Sequence, residues 1–227
     1  MGGSGKTSVA KAIYNKVYSS FESNNFIGSV RETAKELNGK ITLQERLLSD
    51  ILKPTKVEVG DADRGIILIK ERLGSKKVLV IVDDVDDVDQ LTALAIRSDS
   101  FGPGSRIIIT TRDRHLLELL EVDSIHLTQE MKEKEALELF SWHAFHNPCP
   151  DSGFLKLTRR VVTYCGGLPL ALEVLGSFLF KGSISHWEST LKKLEKFPDD
   201  KIHKILKTSF DALDENQGDI FLHISCF

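Results

Sequence analysis

The stretch Met1-Gly2-Gly3-Ser4-Gly5-Lys6-Thr7-Ser8 fits the end of the phosphate-binding pattern G-x-x-x-x-G-K-[ST]. Glycines allow a backbone to curl so that several N–H groups point at one anion. In this pattern we expect Lys6 to reach the terminal phosphates and Thr7 to hold Mg²⁺. The other residues expected to bind the nucleotide are Gly2, Gly3, Ser4, Gly5 and Ser8.

The same stretch lacks the beginning of its pattern. The first glycine would stand one position before Met1, and an apolar strand would precede it. We therefore expect this sequence to be a fragment of a longer protein whose sheet has lost its first strand. Neighbouring backbone groups would then be exposed, which would lower the stability of the fragment.

The first half of the chain alternates between strand and helix patterns. The apolar positions of residues 8–17 have helical spacing, which predicts a helix that starts at the phosphates. Strands are predicted over residues 26–30, 77–82, 106–111 and 124–127, and helices over 44–52, 66–73, 90–95 and 114–120. This alternation is typical of a parallel α/β sheet.

From about residue 129 the pattern is helical throughout. Helices are predicted over residues 133–145, 153–164, 168–180 and 186–197, followed by 202–213 and 218–227. We therefore expect three parts: a nucleotide-binding α/β domain (1–128), a helical subdomain (129–200), and the start of a further domain (201–227).

A buried strand that ends in acids provides a second motif. The apolar run 78–82 ends in Asp83 and Asp84, and a parallel strand brings such carboxylates to the edge where phosphates bind. We expect Asp83 to hold Mg²⁺ through water and Asp84 to accept a proton from an attacking water, if hydrolysis occurs. The alternative is a solvated acidic turn, since more aspartates follow at 86, 87 and 89.

Arg112 follows the strand 106–111 and would lie at the same sheet edge. A guanidinium group there is suited to sensing the γ-phosphate. The alternative is a surface arginine that pairs with Asp113 or Glu118.

The segment 165–172, Cys-Gly-Gly-Leu-Pro-Leu-Ala-Leu, leads from a loop into a helix. Its two glycines give the backbone freedom, and Pro169 suits the first helical turn because its missing N–H is not needed there. From these residues alone, the segment is a helix start.

Composition limits the classes of partner. A hydrophobic content of 41%, a charged content of 28% and a net charge of −3 are typical of a soluble globular protein and favour neither nucleic acid nor an anionic membrane. The three cysteines lie far apart, which indicates a reducing compartment. The apolar runs are shorter than the roughly 20 residues of a membrane span. We expect a cytoplasmic protein with no membrane partner.

Taken together, these motifs resemble the NB-ARC domain of plant disease-resistance proteins, which are nucleotide-binding leucine-rich-repeat receptors. The similar segments are the P-loop (2–7), the kinase-2 strand (78–86), the segment with the sensor arginine (102–112), the GLPLAL motif (167–172) and the final motif (221–227). Asp86, the segment 26–32 and the final motif are similar to the subclass with an N-terminal TIR domain.

The resemblance implies a P-loop NTPase fold, a helical subdomain termed ARC1 and the start of a winged helix termed ARC2. It implies a Mg²⁺-dependent switch in which ADP keeps the receptor closed and ATP opens it for oligomerisation and defence signalling. Hydrolysis would be slow at most, Arg112 would sense the γ-phosphate, and Pro169 would contact the base side of the nucleotide. The parent protein would carry TIR and leucine-rich-repeat domains.

Two rival classes follow from the same motifs. One is an ordinary P-loop ATPase that couples steady turnover to work. The other is a regulator that binds nucleic acid through its winged helix. The sequence argues against this class, because it contains no basic recognition helix.

Overall fold

The computed structural model describes residues 2–52, 57–96 and 100–195. They divide into two compact units, one formed by Lys6–Leu127 and the other by residues 2–5 together with 128–195. The helices predicted over 202–213 and 218–227, and with them the proposed start of a winged helix, lie outside the described residues.

The first unit is built on a parallel sheet of three strands: β1 (Ser23–Ile27), β2 (Val78–Val85) and β3 (Arg106–Thr111). The strand order is β1-β2-β3, so β2 is central. Its apolar residues are buried, as expected for a strand covered on both faces. The prediction of a parallel α/β fold is confirmed.

The pairing of β2 bears on the expected loss of the first strand of the sheet. Phe26 of β1 is in register with Ile81 on one side of β2, and Ile108 of β3 is in register with it on the other. In the part of the chain that the structure describes, β2 is therefore paired along both edges, and the expected exposure of its backbone groups is not seen.

Six α-helices accompany the sheet in the described residues of this unit. They are α1 (Lys6–Val17), α2 (Val30–Lys35), α3 (Gly39–Ile51), α4 (Ala62–Leu73), α5 (Val88–Ala93) and α6 (Arg114–Leu119). Side-chain caps start several of them: the Asp61 carboxylate accepts from the N–H of Arg64 at α4, and Asp87 forms a capping box with Gln90 at α5.

Two strand predictions need correction. The strand predicted over 26–30 lies three residues earlier, and Val30 begins α2 instead. The strand was placed too late because the polar residues Asn24 and Asn25 interrupt the apolar pattern by which strands are predicted. Asn25 is buried, and its side-chain N–H donates to the Asp50 carboxylate at 2.9 Å. This hydrogen bond offsets only part of the cost of burial, because the Asn25 Oδ1 has no hydrogen-bond partner among the described residues.

The strand predicted over 124–127 does not form. Its apolar residues are Ile125 and Leu127, and Leu127 is 61% exposed. Four residues that bury so little apolar surface gain too little to hold an extended conformation.

The second unit contains four described helices: α7 (Glu133–Phe145), α8 (Leu155–Cys165), α9 (Pro169–Leu179) and α10 (Ile184–Glu195). Each starts within two residues of its predicted position. Trp187 lies at the centre of the core, with its ring centroid 5.7 Å from that of Phe140 and 5.0 Å from that of Phe154. Its indole N–H donates to the carbonyl of Leu179, so the buried polar atom is satisfied.

Two cysteines of this unit are free thiols. Cys149 is exposed, whereas Cys165 is buried, and burial raises the pKa of the Cys165 thiol to about 12. Cys165 therefore stays protonated and behaves as a small apolar side chain.

Within the described residues, no helix combines the length and the apolar character that crossing a bilayer requires.

The core of the second unit can be tested separately, because both tryptophans of the chain, Trp142 and Trp187, belong to it. We expect Leu172→Ala to lower the free energy of unfolding by about 2–5 kcal/mol, since Leu172 is fully buried and the change leaves a cavity. The matched change at the exposed Leu155 should cost less than about 1 kcal/mol. Urea titration followed by tryptophan fluorescence measures both, and equal losses would contradict this core.

Candidate functional site

Asp83 is the centre of the candidate site in the first unit. Its carboxylate lies near the end of β2 and is only 5% exposed. The Thr7 hydroxyl lies 2.9 Å from each carboxylate oxygen, and the Thr110 hydroxyl donates to Oδ1 at 2.6 Å. Helix α1 supplies Thr7 and strand β3 supplies Thr110, so three elements of the fold meet at one carboxylate.

Asp84 adopts a different backbone conformation from its neighbours in the strand. Its φ is +58°, and the register between β2 and β3 shifts between Val82 and Val85. The N–H of Asp84 donates to the Thr110 hydroxyl oxygen at 2.9 Å. The Thr110 hydroxyl thus accepts from Asp84 while it donates to Asp83, and it fixes both acids at once.

Two guanidinium groups hold the Asp84 side chain. Arg31 Nη2 lies 3.0 Å from Oδ2, and Arg112 Nε lies 3.5 Å from Oδ1. The alternative partners considered for Arg112 are engaged differently, because Asp113 caps α6 and Glu118 pairs with Arg114. Arg112 therefore belongs to the acidic end of β2.

Lys6 is the first residue of α1 and shares this neighbourhood. Burial and then the Arg112 guanidinium lower the pKa of the Lys6 ammonium below its ordinary value, while Asp84 and Asp83 act in the opposite direction. The predicted phosphate lysine, sensor arginine and paired acids are thus close enough to influence one another electrostatically.

The glycines of the loop belong to the second unit, where they contact the start of α9. Gly3 has a φ of +70°, and its carbonyl accepts from the N–H of Leu170 at 3.2 Å. A Cβ at Gly3 would lie 2.8 Å from the Cβ of Leu170, so only glycine fits this approach. A Cβ at Gly5 would lie 3.7 Å from Cγ of Pro169, which places Pro169 beside the loop.

The remaining loop residues have less distinctive surroundings. Gly2 and Ser4 are half-buried, and Ser8 is exposed in the first turn of α1. Their expected role in binding phosphate rests on the sequence pattern.

The turn before Pro169 is rigidly held. Gly167 has a φ of +72°, and its carbonyl accepts from the N–H of Met131 at 2.9 Å. A Cβ there would lie 2.5 Å from the Met131 carbonyl oxygen, so the position excludes other residues. The segment is therefore more than a helix start, because it sets where Pro169 and Leu170 meet the loop glycines.

Three residues of the candidate site were not predicted from the sequence: Thr110, Leu170 and Arg31. The sequence placed Thr110 at the end of an apolar strand and Leu170 in a helix start, but it did not predict their contacts. Arg31 gave no local signal, since its partner Asp84 lies far along the chain.

A glycine-rich loop that leads into a helix, with a buried acid at the end of a parallel strand beside the loop threonine, defines a P-loop nucleotide-binding protein. The family model described as "NB-ARC domain" matches residues 1–149. The chain belongs to the NB-ARC family, and this membership gives it a nucleotide-binding role.

Plant relatives match the chain over its whole length. It is 43% identical over 228 residues to disease resistance protein RUN1 and 44% identical over 230 residues to disease resistance protein RPV1, both from Vitis rotundifolia. It is 39% identical over 231 residues to TMV resistance protein N from Nicotiana glutinosa. These matches cover 100% of this chain and only 17%, 16% and 20% of the respective relatives.

The bridging role of Thr110 is testable with an isosteric change. We expect Thr110→Val to lower the opening free energy of the β2 amides by about 1–3 kcal/mol, because Asp83 loses a donor and the Asp84 N–H loses its acceptor. Native-state hydrogen exchange measures this energy. The control is Thr92→Val, whose exposed hydroxyl donates only within α5 and should cost about 0.5 kcal/mol or less. Equal effects of the two changes would refute the bridge.

Proposed function

We propose that this chain is the ADP/ATP-binding switch of a plant immune receptor and that its nucleotide state controls defence signalling. The observation that carries the proposal is the contact between the Thr7 hydroxyl and the buried Asp83 carboxylate. In P-loop proteins these two residue types hold Mg²⁺ against the phosphates. Family membership and the plant relatives support the same role.

The donor set fits a magnesium nucleotide. Mg²⁺ prefers oxygen ligands and is usually held by one or two carboxylates together with phosphate oxygens and water. Thr7 would contribute a hydroxyl and Asp83 a carboxylate, while Lys6 would neutralise phosphate charge. When bound, the metal supplies positive charge that screens the phosphates and fixes their orientation.

Arg112 and Asp84 are suited to distinguishing a triphosphate from a diphosphate. Arg112 is half exposed and its 3.5 Å pair with Asp84 is long, so its guanidinium group can be recruited by a γ-phosphate. Asp84 is the candidate base for hydrolysis. Its carboxylate oxygens face two guanidinium groups, which is consistent with slow turnover.

The start of α9 offers a route from the nucleotide to the helical subdomain, which we assign to residues 129–200. The N–H of Leu170 donates to the Gly3 carbonyl and Pro169 lies beside Gly5, so a nucleotide that changes the loop conformation would also act on α9. Pro169 would then lie on the base side of the nucleotide. A switch of this kind requires ADP and ATP to bind the closed and open states with different affinities.

The wider receptor is part of the proposal. We infer a cytoplasmic parent protein with TIR and leucine-rich-repeat domains, which oligomerises when ATP replaces ADP. The motifs around Asp86 and residues 26–32 support the TIR subclass. The names of the relatives, which describe them as resistance proteins, support the role in defence.

Nucleotide binding is tested by titrating the chain with ADP and ATP in the presence of Mg²⁺. We expect Lys6→Ala to weaken both nucleotides at least about tenfold, since a hydrogen bond to a charged group contributes about 1.5–3 kcal/mol. Lys16→Ala, in the exposed last turn of α1, should leave both affinities unchanged. Calorimetry measures the affinities.

Two results would contradict the proposal. If Lys6→Ala binds as well as the original chain, then the loop is not the phosphate site. If the chain releases ADP quickly and hydrolyses ATP with steady, rapid turnover, then it is an ordinary ATPase and not a switch.

A further inference from the structure

We propose that Arg31 is a positioning residue that keeps Asp84 paired when Arg112 moves to a γ-phosphate, and that it thereby sets the preference for ATP over ADP. The inference rests on the proposed function and adds to it a residue that discriminates between the two nucleotides.

The two guanidinium groups on Asp84 are not equivalent. The contact of Arg31 is the shorter one, 3.0 Å against 3.5 Å for Arg112. The Arg31 side chain is 21% exposed, whereas that of Arg112 is 50% exposed. Arg31 is therefore the fixed partner of the carboxylate, and Arg112 is the one that can leave.

Asp84 itself is fixed in place. Its N–H donates to the Thr110 hydroxyl, and the residues on either side of the irregularity, Val82 and Val85, are both paired with β3. Arg31 is placed in turn by its helix α2, which packs against β2. Its Nε lies 3.2 Å from the Glu32 carboxylate but makes no hydrogen bond to it, so the hold on Arg31 comes from the helix and from Asp84. The Asp84 carboxylate thus stays beside Arg31 when Arg112 turns towards another anion.

A cost follows from this arrangement. The Asp84 side chain is only 20% exposed, and leaving a largely buried carboxylate without a cation is unfavourable. With Arg31 present, Asp84 remains paired after Arg112 departs. Without Arg31, Asp84 and the γ-phosphate would compete for the same guanidinium group, and ATP would lose affinity. ADP has no γ-phosphate, so its affinity would be unaffected.

The test is a calorimetric titration of the full chain with Mg²⁺·ADP and with Mg²⁺·AMP-PNP, a triphosphate analogue that resists hydrolysis. We expect Arg31→Gln to lower the ratio of AMP-PNP affinity to ADP affinity at least about fivefold. Arg31→Lys keeps the charge and should restore part of the ratio. The control is Arg114→Gln, which breaks an exposed ion pair with Glu118 and should leave the ratio unchanged.

A double-mutant cycle with Asp84→Asn separates this role from a merely structural one. Asp84→Asn alone removes the competitor, so the ratio should rise above that of the original chain. Adding Arg31→Gln to that background should then change nothing. Asp84→Asn alone also provides a test if Arg31→Gln fails to fold.

Several results would overturn the inference. One is that Arg31→Gln leaves the affinity ratio unchanged or weakens both nucleotides equally. Another is that Asp84→Asn does not raise the ratio. The last is that Arg31→Gln lowers the ratio equally with and without Asp84→Asn. Each of these leaves nucleotide binding itself intact or uniformly weakened. If the original chain binds neither nucleotide, the proposed function fails instead, so the two failures are distinguishable.

Discussion

The Asp83 carboxylate is the constraint on which the first unit depends. A buried negative charge is costly unless hydrogen bonds satisfy it, and two hydroxyl groups from separate elements do so here. Thr7 ties the start of α1 to the end of β2, and Thr110 ties β3 to the same point. One carboxylate therefore joins the edge of the sheet to the loop helix, at the place where we propose that Mg²⁺ binds.

Asp84, the residue after Asp83, has different partners because its backbone leaves the extended conformation. At a φ of +58°, Asp84 leaves the strand geometry, and its side chain meets Arg31 and Arg112. Consecutive acids thus separate into one held by neutral hydroxyls and one held by cations. In the proposed switch, the first would hold Mg²⁺ through water, and the second would form ion pairs, one of which can be exchanged for a phosphate.

Sequence patterns predicted the parts of the fold whose cause is local. The β-branched run of β2 and the helix α7 were evident because each buries its own apolar residues, and β3 was evident from its run of three isoleucines, although these are only partly buried. Strand β1 was misplaced because the polar residues Asn24 and Asn25 form hydrogen bonds to Tyr14 and Asp50, which no local sequence pattern indicates. The site divides in the same way: motif spacing gave Lys6, Thr7 and Asp83, whereas the pairing of Arg31 with Asp84 joins residues 53 positions apart and leaves no local pattern.

The central claim is that Asp83 serves a magnesium nucleotide, and the dependence of ADP affinity on Mg²⁺ tests it most directly. We predict that the original chain binds ADP more tightly with Mg²⁺ than with EDTA, and that Asp83→Asn removes this difference while keeping the affinity measured in EDTA. If Asp83→Asn retains the full Mg²⁺ dependence, the carboxylate does not serve the metal and the account is wrong.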